Sequence, residues 1–154
     1  MLSRVEYSVR VPVSVDAAFH AFQDLTRLLH RGIYQEASWI EGQPWEVGSR
    51  LRYVVVEPVQ ATISAVVNSL SALPRAIGLL NHALGVTVEQ NVTFVPDLQG
   101  GTRVRITMDP IGASTELPES TIYEALHFFT RDALDTMAAL CNENARRNSS
   151  ASGV

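Results

Sequence analysis

The chain has 154 residues, of which 46% are apolar and 18% are charged, and its formal net charge at pH 7 is -4. These values are typical of one globular domain and argue against a disordered chain. All 12 basic residues are arginines, and they form no cluster before Arg146-Arg147, so we expect no nucleic-acid partner, since phosphate binding needs concentrated cations.

The ends of the chain and its single cysteine bear on where the protein works. The N-terminus lacks the apolar run of a signal peptide, and no stretch approaches the roughly 20 apolar residues needed for a transmembrane segment. Cys141 stands alone, so no internal disulfide can form, which suits a reducing compartment. We therefore expect a cytoplasmic protein.

The first part of the chain predicts one strand and two short helices. Residues 6–13 alternate between apolar and polar side chains, which indicates a half-buried strand. Ser14 is a suitable cap for a helix whose apolar residues recur through Phe22. Asp24 caps a second short helix that ends near His30.

The middle of the chain predicts a series of strands separated by Pro and Gly breaks. Their expected bounds are 36–41, 50–57, 61–70, 75–82, 85–95 and 102–109. The last two strands alternate clearly and are joined by the turn at 96–101, so they form the clearest hairpin, with Pro110 ending the second strand. The sequence does not decide which residues of 61–70 and 75–82 face the core. The segment 75–82 could also be read as a helix.

Residues 118–147 predict one long amphipathic helix, which starts between Pro118 and Thr121. Its apolar stripe consists of Ile122, Leu126, Phe129, Ala133, Met137 and Leu140. So long an apolar face needs a large partner surface, and the strands upstream supply one. We therefore predict an α+β domain over residues 1–147, with a curved antiparallel sheet around this helix and a flexible tail at 148–154.

Three stretches carry a resemblance to a known family: VPVSVDAAFHAF near the start, WIEGQPWEVGSRLRYVV in the middle, and GGTRVRITMDPIG before the long helix. With the order of elements, they resemble the START-like, Bet v 1-like (SRPBCC) superfamily, in particular its bacterial polyketide cyclase/dehydrase-type members. The resemblance implies a helix-grip fold of six to seven strands with a cavity under the helix. It also implies ligands such as lipids, sterols or polyketides. One departure lies at Leu28 or His30, near a position where many relatives have an aromatic residue.

Candidate ligand-binding residues are polar or aromatic side chains on core-facing positions, because a buried polar group needs a partner. Gln90 shares a face with Val88 and Val92, and Tyr53 shares one with Leu51. The remaining candidates lie at the edge of the helix stripe or near an expected entrance: Tyr123, His127, Thr130 and Trp39. For each of them the alternative is ordinary packing or a position at the rim.

Glu57, His82 and Tyr53 are the candidates for proton transfer, Glu57 because an inward carboxyl would have a raised pKa. No motif for nucleotide, metal or nucleophilic chemistry occurs, and His20, His30 and Cys141 lack metal-ligand spacing, so we expect no metal or cofactor. Our first hypothesis is binding of an apolar or amphipathic small molecule, lipid-like or polyketide-like, in the cavity.

Two alternatives stay open, and the oligomeric state is undetermined. The first is a polyketide cyclase or dehydratase, which requires that at least two of the proton-transfer candidates meet at one point in the cavity. The second is a protein-interaction module of the co-chaperone kind. It predicts an exposed apolar patch, for which Phe128 is the residue to watch.

Overall fold

The computed structural model describes residues 3–30 and 32–152. Seven antiparallel strands form one sheet in the order β1-β7-β6-β5-β4-β3-β2, and a long C-terminal helix packs against it. The elements in chain order are β1 (Val5–Val11), α1 (Val15–Gln23), α2 (Thr26–Leu29), β2 (Tyr34–Glu41), β3 (Arg50–Val55), β4 (Ala61–Ala72), β5 (Arg75–Ala83), β6 (Val86–Pro96), β7 (Thr102–Ala113) and α3 (Glu119–Ser152). The predicted helix-grip arrangement, with two short helices after the first strand, is confirmed.

Helix α1 begins at its predicted cap, whereas the N-cap residue of α2 is Leu25 and not the predicted Asp24. The Ser14 hydroxyl accepts a hydrogen bond from the Ala17 amide at 3.2 Å and begins α1. The Asp24 carboxylate accepts bonds from the Thr26 amide at 3.0 Å and from the Thr26 hydroxyl at 2.6 Å. Helix α2 then ends at Leu29, one residue before the predicted end, so it forms a single turn that places Arg27 and Leu28 in the interior.

Several strand ends differ from the prediction, among them those of β2, β3 and β7. Strand β2 begins at Tyr34, two residues early, and β3 ends at Val55, so Glu57 lies in the bend that follows. Strand β7 continues past Pro110, because Pro110 sits at a register shift opposite Val88, and pairing with β1 has already ended at Met108. A proline is tolerated there because no neighbouring strand needs its missing N–H.

The structure defines which residues of β4 and β5 face the interior. The segment 75–83 is a strand, as preferred over a helix, and pairs with β4 and β6 along its length. Ala65 and Val67 of β4 and Ile77 and Leu79 of β5 are fully buried. The inner faces of β4 to β7 therefore form a mostly apolar surface toward α3.

Helix α3 begins at Glu119, inside the predicted window, and continues to Ser152, beyond the predicted end at Arg147. The last two residues, 153–154, lie outside the described residues, and the flexibility of the tail stays a prediction. Ile122, Leu126, Ala133 and Met137 of the predicted stripe are buried, while Phe129 and Leu140 are partly buried. No helix within the described ranges combines the length and apolar character that a membrane span requires.

Candidate functional site

A pocket of about 150 Å³ lies between α3 and the inner face of the sheet. Its wall on the α3 side consists of Thr121, Ile122, Ala125, Leu126, Phe129 and Ala133. From Thr121 to Ala133 the helix rises by about 18 Å, at 1.5 Å per residue. The pocket is therefore elongated along the helix, and most of its lining is apolar.

The pocket opens at one end of the sheet. In an antiparallel meander, the β3–β4 connection, the β5–β6 connection and the end of β7 all lie at the same end. Val59 and Leu84, from the first two connections, line the pocket and are 40% and 45% exposed. The opposite end is closed by Phe22, Arg27 and Ala133, all of which are buried.

Strand register brings the sheet side of the pocket together. Tyr53 of β3 pairs with Ile63 of β4, and Ala83 of β5 pairs with Val86 of β6. All four residues line the pocket. Because alternate residues of a strand point to the same face, this row follows directly from the pairing of the strands.

Gln90 is buried inside the pocket, with 7% of its surface exposed. The Asn81 side-chain amide donates a hydrogen bond to Gln90 Oε1 at 3.1 Å. Asn81 lies opposite Val88 in the β5–β6 ladder, so the two amides meet diagonally across neighbouring strands. Their pairing partly satisfies both groups within a pocket whose lining is mostly apolar.

Arg27 forms the closed end of the pocket and is only 7% exposed. Its Nη1 donates to Thr136 Oγ1 at 3.3 Å, and its Nη2 donates to the Phe22 carbonyl at 3.0 Å. The guanidinium carbon also lies 5.0 Å from the centre of the Phe22 ring. Nε has no hydrogen-bond partner among the described residues. Burial lowers the pKa of Arg27, and the surrounding tyrosines and carboxylates act in the opposite direction. A guanidinium remains protonated in proteins, so this end carries a fixed cation.

Tyr34 and Tyr53 stand beside one another in the same chamber, with ring centres 5.8 Å apart in an edge-to-face arrangement. Burial raises the pKa of Tyr53 to about 12, although the charge of Arg27 acts against it, and burial also raises the pKa of Tyr34. Both hydroxyls are therefore protonated at neutral pH and are available as hydrogen-bond donors.

Of the predicted ligand-binding residues, the structure places Tyr53 and Gln90 in the pocket. The two other candidates for proton transfer lie elsewhere. Glu57 is exposed because β3 ends before it, which removes it from the inward alternation. His82 is exposed on the outer side of β5, where its Nδ1 lies 2.9 Å from Thr87 Oγ1. The structure does not bring Glu57 and His82 together with Tyr53.

The helix-edge candidates and Trp39 do not line the pocket. Thr130 is fully buried, and its hydroxyl donates to the Leu126 carbonyl of the same helix at 2.6 Å. His127 lies under the 37% exposed Tyr123, with ring centres 4.4 Å apart. Trp39 packs edge-to-face on Trp45, with ring centres 5.0 Å apart. These placements correspond to the packing alternative for each residue.

Arg27, Tyr34 and Asn81 were not among the predicted site residues. Helix α2 has four residues, which is too short for a period to define an inner face. Tyr34 precedes the predicted start of β2. Asn81 lies on a strand whose facing was open, although its alternation with Ile77 and Leu79 is a signal that could have found it.

Metal binding has no evident site in the part of the chain that the structure describes. No group of three or more His, Cys, Asp or Glu side chains there could hold an ion. Whether a cofactor binds is untested, and its expected absence stays a prediction.

No protein-family model matches the chain, and no curated protein matches it. Solved structures do match. The Zhui aromatase/cyclase from Streptomyces sp. R1128 is 15% identical with a TM-score of 0.74, covering 94% of this chain and 96% of that one. A START superfamily protein from Mycobacterium smegmatis is 14% identical with a TM-score of 0.72, covering 91% and 97%. Norcoclaurine synthase from Thalictrum flavum, in complex with dopamine and hydroxybenzaldehyde, is 16% identical with a TM-score of 0.69, covering 92% and 87%. The chain therefore has the START-like, Bet v 1-like fold that its sequence resembles.

Proposed function

We propose that the protein binds an apolar or amphipathic small molecule, lipid-like or polyketide-like, in the pocket beneath α3. The observation that carries this proposal is a mostly apolar pocket that runs from an exposed rim at Val59 and Leu84 to a buried end at Arg27. Apolar burial contributes about 25 cal/mol per Å². The lining thus supplies affinity, and a few polar groups set the orientation of the ligand.

Two of the solved structures support this assignment by analogy of fold. Norcoclaurine synthase was solved with dopamine and hydroxybenzaldehyde, and the Streptomyces protein is an aromatase/cyclase. Both names concern small organic molecules with aromatic rings. At 15–16% identity they support a ligand class for this chain but no particular ligand.

Neither alternative function is carried by a specific observation. A cyclase or dehydratase needs an acid and a base at one point in the pocket. The tyrosines there are proton donors with raised pKa values, and Glu57 and His82 lie outside. An interaction module would expose Phe128, but that ring is partly buried, with its centre 5.5 Å from that of Phe129.

The experiment is native mass spectrometry of the purified protein, followed by titration with the neutral fluorescent probe N-phenyl-1-naphthylamine. We expect a co-purifying small molecule, or saturable probe binding with one site per chain. Ala125→Trp should abolish both, because Ala125 lines the pocket and the indole would fill it.

Ala72→Trp is the matched control, since Ala72 is exposed at the end of β4 and the same side chain there leaves the pocket open. Thermal unfolding of each variant checks that the domain is folded. Probe binding that is equal in Ala125→Trp and Ala72→Trp would place the ligand elsewhere, and no binding to the unmodified chain would refute the proposal.

A further inference from the structure

We propose that the ligand carries a hydrogen-bond-accepting oxygen group, a carboxylate or a carbonyl, which binds at the Arg27 end of the pocket while its apolar part extends toward the rim. This inference rests on the proposed function. It adds the chemistry of the ligand's buried end and the direction in which the ligand lies.

The first argument is the way Arg27 is held. Thr136 of α3 and the Phe22 carbonyl at the end of α1 each accept one hydrogen bond from its guanidinium. These contacts fix the plane of the group and use one N–H of each Nη, so the second N–H of each Nη has no acceptor in the described part of the chain, and Arg27 lines the pocket. A buried donor without a partner is unfavourable, so an acceptor brought by a ligand would remove that penalty.

The second argument is that the neighbouring polar groups are also donors. Tyr34 and Tyr53 lie in the same pocket as Arg27, with their ring centres 5.8 Å apart. Both tyrosines line the pocket and have protonated hydroxyls, and neither hydroxyl has an acceptor within the described ranges. Three sets of donors in one mostly apolar pocket match an oxygen acceptor, and the guanidinium repels an ammonium group.

The two carboxylates explain why the acceptor need not be charged. The carboxylates of Asp24 and Asp132 partly offset the charge of Arg27. A carbonyl oxygen and a carboxylate can therefore both be stabilised at this end. A hydrogen bond to a charged donor strengthens either one relative to a hydrocarbon of the same shape.

The third argument concerns direction. Thr136, which holds Arg27, lies 15 residues after Thr121 at the open end, or about 22 Å along α3. The rim residues Val59 and Leu84 are apolar and exposed. An amphipathic ligand thus meets donors at the closed end and apolar side chains at the mouth, so its oxygen group enters first.

Four probes of matched shape test the inference: 4-butylbenzoate, 4′-butylacetophenone, 4-butyltoluene and 4-butylbenzylamine. Each is titrated against bound N-phenyl-1-naphthylamine, and its dissociation constant is obtained from the displacement. We expect the carboxylate, the ketone or both to bind about ten- to a hundredfold more tightly than the hydrocarbon, as for hydrogen bonds to a charged group. The amine should bind no better than the hydrocarbon.

Arg27→Met should reduce the preference for the oxygen-bearing probes to within about threefold, while the hydrocarbon keeps its affinity, because the apolar lining is retained. Arg52→Met is the matched control, since Arg52 is exposed and pairs with Glu36 at 3.0 Å on the outer surface. Because Arg27 also ties α1 to α3, Tyr53→Phe and Tyr34→Phe provide a second test. Each removes one donor at constant ring size and should lower the preference several-fold.

The outcomes separate this inference from the proposed function. If all four probes displace the dye equally well, or the amine binds best, the oxygen-acceptor assignment is wrong while the pocket remains a binding site. The assignment is also wrong if the preference persists in Arg27→Met and in both tyrosine variants. If neither the dye nor any probe binds the unmodified protein, both proposals are wrong.

Discussion

Tyr7 and His127 join the first strand to the last helix through a hydrogen bond of 2.7 Å between Oη and Nδ1. Their rings meet edge-to-face with centres 5.5 Å apart, and the guanidinium carbon of Arg131 lies 5.8 Å from the centre of the Tyr7 ring. The two residues are 120 positions apart in sequence. His127 was a candidate ligand contact, and this bond gives it a structural role outside the pocket.

Removing the Tyr7 hydroxyl should destabilise the domain without affecting ligand binding. We expect Tyr7→Phe to lower the free energy of unfolding by about 1 kcal/mol, the usual net contribution of one hydrogen bond. Urea denaturation measures the change. The affinity for N-phenyl-1-naphthylamine should stay within twofold of the unmodified protein, because neither residue lines the pocket.

Tyr123→Phe is the control for that prediction. Tyr123 also packs on His127, but its ring is 37% exposed and its hydroxyl has no hydrogen-bond partner in the described segments. We expect a change within about 0.5 kcal/mol, as for most surface substitutions. Equal destabilisation by both variants would mean that the Tyr7–His127 bond contributes nothing measurable.

The Asn81–Gln90 pair predicts a specific pattern of coupling. Gln90→Leu should cost about 1–3 kcal/mol, because it leaves the Asn81 amide in an apolar pocket without its acceptor. Changing both residues to leucine should cost less than the sum of the single changes, since removing both partners can be nearly neutral. A double-mutant cycle based on urea unfolding measures the coupling.

The exposed Thr87–His82 pair on the same two strands is the control for this cycle. Thr87→Val should change stability little, because water replaces the lost contact. If the leucine substitutions at positions 81 and 90 were simply additive, the two amides would not depend on one another.

The residues of β6 and β7 that face the interior could be predicted because apolar and polar residues alternate strictly along both strands. No helical period competes with this alternation. Gln90 became a candidate in that way, as a polar residue in line with Val88 and Val92, and it lies in the pocket. Tyr53 followed from the same reasoning on β3. Within a continuous strand, the two-residue period shows on which side of the sheet each side chain lies.

Residues at the ends of elements could not be predicted in this way. Glu57 shares the parity of Tyr53, but β3 ends two residues earlier and the chain bends at Pro58. Arg27 lies on a helix of one turn, and its burial depends on partners from α1 and α3 that are distant in sequence. The positions of Glu57 and Arg27 depend on tertiary contacts, and such contacts leave no pattern in the local sequence.

The Thr136 hydroxyl should contribute to stability through Arg27. It accepts from Arg27 Nη1 at 3.3 Å and donates to the Ala133 carbonyl at 3.1 Å. Thr136→Val keeps the shape and removes the acceptor, so we expect a loss of about 1–3 kcal/mol in the free energy of unfolding. Thr136→Ser should retain most of the stability, because the oxygen remains.

Thr130→Val on the same helix is the matched control. Thr130 is also buried, but among the described residues its hydroxyl bonds only to Leu126 of its own helix, so no other side chain there loses a partner. We expect its cost to be smaller than that of Thr136→Val. Equal losses of stability in Thr136→Val and Thr130→Val would indicate that the hydrogen bond from Arg27 adds no stability beyond that of the hydroxyl's bond within its own helix.

Stability should fall at alkaline pH, and separate variants can isolate the contributions of Cys141 and Tyr53 to this fall. Burial raises the pKa of Cys141 from 9.0 to about 11 and that of Tyr53 from 10.0 to about 12. Between each pair of values the unfolded chain releases a proton that the folded chain retains. The free energy of unfolding therefore decreases as pH rises, by at most about 1.4 kcal/mol per pH unit for each group.

Urea denaturation under reducing conditions, at intervals from pH 7.5 to 11, measures this slope. Cys141→Ala should flatten the curve from about pH 9 upward, and Tyr53→Phe should flatten it only from about pH 10, because each variant removes one of the protons retained by the folded state. Tyr34, whose pKa burial also raises, maintains part of the slope above pH 10 in both variants. Below pH 8 the slopes of both variants should equal that of the unmodified protein, since neither group ionises there in either state. A Tyr53→Phe curve parallel to the unmodified one between pH 10 and 11 would contradict burial of the hydroxyl. It would thereby remove one of the hydrogen-bond donors assigned to the ligand's oxygen group.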